Sequence, residues 1–171
     1  MTLNPAIPVT AIDTELLLRL GVAALIGLLL GIDRELRRYP AGLRTHGLVC
    51  FSAALTTVSV ISLYNEIGGP GSRMDPLRMV EGIAAFMGIV AAALIVVRGG
   101  DVHNLTTAVH LWLASAIGVA SGAGQWPLVA IGTGMALVMM TLLRVLEKRW
   151  LEPLSEENGG TDGRERSPRT L

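Results

Sequence analysis

Two sets of ionisable and hydroxyl side chains stand against otherwise apolar sequence in this 171-residue chain. The larger set comes from three separate stretches: Asp33, Arg34 and Glu35; Arg44, Thr45 and His46; and Thr106, Thr107 and His110. Together they offer carboxylate acceptors, guanidinium donors, hydroxyls and imidazoles. Carboxylates with hydroxyls suit a hard cation such as Mg²⁺, which keeps several waters and needs only one or two carboxylates. Asp33 and Glu35 are therefore the metal-binding candidates. The same residues also suit a salt-bridged clamp that fastens a short loop to a helix bundle, and spacing alone favours the clamp. The smaller set is Arg19, Asp75, Arg78 and Glu81. Arg19 and Glu81 fall within apolar runs at similar depth, which permits an ion pair. The alternative is that each reaches separately to the membrane interface, as long side chains near helix ends do.

The scaffold that must hold these groups is a membrane one. Apolar residues make up 51% of the chain and charged residues 16%, where a soluble domain carries about 25% charged residues. Mean hydropathy is +0.53. Five runs approach the roughly 20 apolar residues that a spanning helix needs: Leu16–Ile32, Gly47–Tyr64, Met79–Val97, Leu105–Gly124 and Trp126–Leu143. The expected fold is all-α, a polytopic bundle of about five transmembrane helices. Asp13 and Glu15 precede the first run with no basic residue, which reads as a span and not as a cleaved signal. Asp13, Asn104 and the pair Asp75-Pro76 suit helix starts. Residues 1–12 read as a tail, 13–150 as the transmembrane domain, and the polar, Gly-rich stretch 151–171 as disordered.

Loop charge sets orientation. Arg34, Arg37, Arg38, Arg44, Arg98, Arg144, Lys148, Arg149, Arg164, Arg166 and Arg169 would share one side, with Arg73 and Arg78 on the other, eleven against two. The N-terminus is expected outside and the C-terminus in the cytoplasm, with Tyr64, Trp126 and Trp150 at the interfaces. Fourteen basic residues balance fourteen acidic ones, which removes the strongly basic field of a nucleic-acid binder. A single cysteine, Cys50, allows no intramolecular disulfide and reads as a small buried hydrophobe. The sequence carries no phosphate-cradling Gly-rich loop with its Lys, no His-Glu-x-x-His and no Ser/His/Asp order. An enzyme or a resident cofactor has no support, and Mg²⁺ enters only as substrate or ligand. Gly27-x-x-x-Gly31, Gly118-x-x-x-Gly122 and the small residues Gly82, Ala84, Ala85, Gly88, Ala91, Ala92 and Ala93 permit close helix packing. Packing within one bundle is the simpler use. Self-association, or binding of another membrane protein through these faces, is the other.

The stretch Gly27-Leu-Leu-Leu-Gly31-Ile-Asp33-Arg34-Glu35, followed by Ala41-Gly42-Leu43-Arg44-Thr45-His46, resembles the MgtC/SapB family of bacterial inner-membrane proteins. Asp75-Pro76-Leu77-Arg78 fits the same pattern, as does Leu105-Thr106-Thr107-Ala108 leading to Trp112 and Ala116-Ile117-Gly118. The resemblance runs from about Leu16 to Arg149. Asp33 stands where the family usually has Glu, Asn104 where it has Gly, and Glu81 where a neutral polar residue is typical. His110 is an unusual polar insertion. The glycine-rich run of the family's third span is reduced here to Phe86-Met-Gly88-Ile-Val-Ala91-Ala-Ala93. The resemblance implies an inner-membrane protein linked to Mg²⁺ homeostasis. It leaves two roles open: Mg²⁺ transport, or regulation of another membrane complex such as the ATP synthase.

Overall fold

The computed structural model describes residues 13–67 and 75–150, with no side-chain description for residues 143–150. In chain order the elements are α1 (Thr14–Leu36), α2 (Leu43–Ile67), α3 (Arg78–Leu94), β1 (Val96–Arg98), β2 (Asp101–His103), α4 (Leu105–Gly122) and α5 (Trp126–Trp150). The expected tails 1–12 and 151–171 and Arg73 lie outside the described residues, as do the side chains of Arg144, Lys148, Arg149 and Trp150. The chain divides into two units, Met1–Thr133 and Gly134–Leu171. All the candidate residues belong to the first. Within the second, Thr141 Oγ1 donates back to the Leu137 carbonyl at 2.8 Å, a bond internal to α5.

Among the described residues five helices form, one for each apolar run. Helices α1, α2 and α4 are each long and apolar enough to cross a membrane. Their outward faces keep large aliphatic side chains exposed, among them Leu25, Leu29, Leu48 and Leu55. Such faces are stable where hydrocarbon covers them, because a helix satisfies its own backbone polar groups.

Glycine brings α1 and α4 onto α2. A Cβ on Gly27 would lie 2.6 Å from the His46 carbonyl oxygen and 2.9 Å from the Gly47 Cα, and one on Gly31 would lie 2.6 Å from the Leu43 Cα. Gly118 rests in the same way on the Cys50 carbonyl, and a Cβ on Gly122 would lie 2.5 Å from the Ala54 carbonyl. These are backbone-to-backbone approaches that only a missing side chain allows. Both Gly-x-x-x-Gly spacings are therefore used inside the bundle, against α2. The pairings also fix direction. Gly27 meets Gly47 and Gly31 meets Leu43, so α1 and α2 are antiparallel. Cys50 meets Gly118 and Ala54 meets Gly122, so α2 and α4 run parallel. The chain between α2 and α4 must travel back along the full length of the bundle, and α3 makes that return, packed on α4.

Three local expectations change. The third run ends its helix at Leu94, three residues before the expected limit. Val96–Arg98 instead pairs antiparallel with Asp101–His103 in the register Val97↔Val102. Gly99 and Gly100 close the turn with φ of +61° and +94°, the two left-handed positions that a two-residue hairpin turn needs. Asn104 occupies the N-cap position of α4, but its side chain does not cap the helix. Its φ is +64°, and its amide Nδ2 donates to the Leu94 carbonyl at 3.1 Å, closing the end of α3. Asp75 Oδ1 accepts from the Leu77 N–H at 2.9 Å in a turn that precedes α3, whose first helical residue is Arg78. At the other end of α4, the Gln125 N–H reaches the Ala120 carbonyl at 2.9 Å over Gly124 in the left-handed conformation. This helix stop leads directly into α5.

Candidate functional site

The polar residues gather at the two ends of the α1/α2/α4 bundle. At one end Arg34 leaves α1 on the same face as Gly27 and Gly31 and is only 5% exposed. Its Nε–H donates to His110 Nδ1 of α4 at 2.6 Å, and its Nη2 lies 3.0 Å from His110 Nε2. A guanidinium can only donate, so Nδ1 is the unprotonated nitrogen of this imidazole. The Tyr39 ring covers the guanidinium, 4.4 Å from Cζ to the centroid, adding a cation–π contact. Tyr39 is held there because its N–H bonds back to the Arg34 carbonyl at 3.1 Å, with Arg38 at a φ of +58° making the turn. His46 in the first turn of α2 is fully buried, and its Nδ1 lies 2.9 Å from the Gly42 carbonyl. A carbonyl accepts only, so Nδ1 carries the proton and Nε2 presents a lone pair. His46 Nε2 and Thr107 Oγ1 are buried without a hydrogen-bond partner among the described residues.

The carboxylates are engaged by the chain itself. Asp33 Oδ1 accepts from Arg37 Nε at 3.0 Å, one turn along α1. Glu35 Oε2 accepts from the Leu43 N–H at 3.1 Å and so satisfies an orphan donor at the start of α2. Gly42 lies against that carboxylate, where a Cβ would collide with it. Arg44, Thr45 and Thr106 are exposed. The structure thus divides the expected cluster. Arg34, His46 and Thr107 form its buried part with the half-buried His110, while Asp33 and Glu35 tie down the α1–α2 connection. No group of three or more His, Cys, Asp or Glu side chains placed to hold a metal ion occurs among the described residues.

At the other end Arg19 is 4% exposed. The Arg19–Glu81 pair that similar depth permits does not form, nor does Arg19 reach away to the interface. Its Nε pairs with Glu15 Oε1 at 3.0 Å, its Nη1 donates to the Gly122 carbonyl at 3.0 Å, and Ser121 Oγ donates to the Arg19 carbonyl at 2.8 Å. Glu81 and Arg78 are exposed on α3. The physical reason is local. Glu15 precedes Arg19 by one helical turn, the spacing at which side chains on a helix meet, while α4 ends with unsatisfied carbonyls beside Arg19 that need a donor. Glu15 and Ser121 were the residues missing from the sequence reading, and the Glu15–Arg19 spacing was the available signal.

A model of the MgtC family matches residues 20–149. The chain belongs to the MgtC family. Among similar proteins are "Protein SapB" of Bacillus subtilis (strain 168), 39% identical over 66% of this chain and 50% of SapB, and "Putative magnesium transporter YhiD" of Escherichia coli (strain K12), 31% identical over 86% of this chain and 71% of YhiD. "Protein MgtC" of Brucella abortus (strain 2308) is 38% identical over 74% of this chain and 50% of MgtC. The chain spans about half the length of SapB and of MgtC. No solved structure matches it. Within the MgtC family match lie both glycine pairs and the whole Arg34–His110 contact, while Glu15 and Arg19 fall just before it.

Proposed function

We propose that this protein serves Mg²⁺ homeostasis as a multi-pass protein of the bacterial inner membrane, with its N-terminus outside and its C-terminus cytoplasmic. The link to Mg²⁺ rests on family membership and on the magnesium in the name of YhiD. The orientation rests on the eleven-to-two basic asymmetry. Its alternation agrees with the antiparallel α1–α2 pair and the parallel α2–α4 pair.

Within this role, the reading best supported is regulation without Mg²⁺ conduction through a single copy. One observation carries it: α1, α2 and α4 meet backbone to backbone at Gly27, Gly31, Gly118 and Gly122. Mg²⁺ dehydrates reluctantly and travels with several waters, which such contacts exclude. Asp33 and Glu35, the carboxylates that would greet the ion, are engaged by Arg37 and by the α2 N-terminus. Regulation would then act on another membrane complex, the ATP synthase being the case that the family resemblance suggests. The test is Mg²⁺ entry into liposomes containing only the purified protein, read by an internal Mg²⁺-sensitive dye, alongside growth of a dependent strain at limiting Mg²⁺. Growth support with no flux above empty liposomes is expected. Flux above that background would establish transport and overturn the regulatory reading.

A further inference from the structure

Gly27 and Gly31 press α1 onto α2, and Gly118 and Gly122 press α4 onto α2. Hydrogen bonds at the two ends of the bundle join α1 to α4 directly. At the Arg19 end the α4 partners are a backbone carbonyl and a hydroxyl, neither of which takes up a proton near neutral pH. At the other end the partner of Arg34 is the imidazole of His110, which does. We infer that the Arg34–His110 contact is an acid-released latch: proton uptake by His110 parts α1 from α4 at this end, while the Arg19 end holds as the hinge.

The geometry leaves a charged His110 no way to keep the contact. Arg34 Nε donates to Nδ1 at 2.6 Å, and Nη2 lies 3.0 Å from Nε2, so both ring nitrogens face one guanidinium. A guanidinium can only donate, and so can an imidazolium. Protonation therefore replaces the acceptor by a donor and sets two positive charges against each other. Arg34 cannot relieve this by giving up its own proton. It is 5% exposed, with the Tyr39 ring over it, and a buried pair is screened little by salt.

The surrounding charges do not offset that repulsion. From α1, Asp33 lies within electrostatic reach of the imidazole, but its Oδ1 already accepts from Arg37 at 3.0 Å. Glu35 is exposed and accepts from the Leu43 N–H. From α2, His46 lies within reach of both Arg34 and His110. Its own bond is to the Gly42 carbonyl, so a proton on His46 breaks no tie between α1 and α4. The half of α3 from Phe86 to Leu94 brings no titratable group, and Arg98, Asp101 and His103 are exposed on the hairpin before α4. In the orientation proposed above this end faces the cytoplasm, so the latch reads internal acidification. The contact itself does not depend on that orientation.

A hydrogen bond to a charged group is worth about ten- to a hundredfold, and each pH unit below the ordinary imidazole value of about 6.5 favours a freed, protonated histidine tenfold. Release is therefore expected between about pH 5.5 and about pH 4.5. The full chain, with Cys50→Ala, is placed in nanodiscs, which expose both faces to one buffer and make the result independent of orientation. Pulsed EPR follows one spin-label pair at Leu36→Cys and Leu105→Cys, exposed near the latch, and a second at Leu17→Cys and Gln125→Cys, exposed near the hinge. From about pH 7.5 to about pH 4 the first distance is expected to lengthen by at least a water layer, about 2.8 Å, and the second to hold. His110→Gln, whose amide oxygen accepts from Arg34 without titrating, should stay closed throughout. Arg34→Gln, which removes the opposing charge, should lose the response as well, and His46→Gln should keep it. A constant first distance in the unaltered protein would overturn the proposal, as would lengthening that persists in His110→Gln. Loss of the response in His46→Gln would assign the proton to His46 instead, and equal lengthening of both pairs would show general loosening without a hinge.

Discussion

Two alanine substitutions on one helix measure how much the bundle depends on backbone contact. Gly21 and Gly27 both lie within α1, but a Cβ on Gly21 meets nothing within 4 Å, while one on Gly27 meets the His46 carbonyl oxygen at 2.6 Å. Ordinary contact begins near 3.4 Å, so α1 and α2 must part by about 0.8 Å to admit the Gly27 methyl group. The atoms it meets include the His46 oxygen and the Gly47 Cα, backbone that cannot rotate away. Overpacking of this kind costs about 1–3 kcal/mol, whereas replacing glycine by alanine within a helix gains about 1 kcal/mol. The gain is common to both sites. The difference in stability between Gly21→Ala and Gly27→Ala therefore isolates the packing cost and is expected at about 1–3 kcal/mol, or about one to two decades in the unfolding constant. Titration with SDS in mixed micelles, followed by tryptophan fluorescence, reads it. Equal stability of the two variants would refute the claim that glycine sets the distance between α1 and α2.

A double-mutant cycle on Arg34 and His110 should give coupling above about 1 kcal/mol, because a buried charge-assisted bond is broken. The same cycle on the partly exposed Arg37 and Asp33 should give less than about 0.5 kcal/mol. Arg34→Lys, which keeps the charge but replaces the fork by a point, should lower both stability and growth at limiting Mg²⁺. Arg44→Lys at an exposed position should lower neither. Arg19→Ala should couple to Glu15→Ala in thermal stability and be additive with Glu81→Ala. Coupling to Glu81 would show that α3 sits differently. Reporter fusions at Tyr39 and at Gln125 should report opposite faces of the membrane, and agreement between them would end the crossing pattern derived from the glycine contacts.

The sequence makes the spans legible because burial in lipid demands long apolar runs. Thr14–Leu36 and Leu43–Ile67 each extend past the apolar limits of Leu16–Ile32 and Gly47–Tyr64. The added turns carry the polar residues, which apolarity cannot delimit. The hairpin Val96–His103 was written in its β-branched flanks around Gly99-Gly100, but it was concealed by continuing the apolar run of α3. The inner cluster was legible as a set and not as a network. Arg34 and Arg44 are alike in composition and differ in helix face. Arg34 lies three residues after Gly31 and turns into the seam, whereas Arg44 turns out. The Arg19 site depended on a carbonyl of Gly122, and backbone acceptors at helix ends leave no mark in residue type.

The unequal helices have a consequence for the surrounding lipid. At the helical rise, α1 and α2 with 23 and 25 residues are roughly 34 and 38 Å long, while α3 with 17 residues is roughly 26 Å. Since α3 runs back between the parallel α2 and α4, a bilayer around it would meet a span shorter than the usual core of about 30 Å, and around α1 and α2 it would not. Lipid along α3 and lipid along α2 therefore face helices of different length. Each ångström of such mismatch costs a fraction of a kcal/mol, so the flank of α3 is expected to favour the thinner of two bilayers.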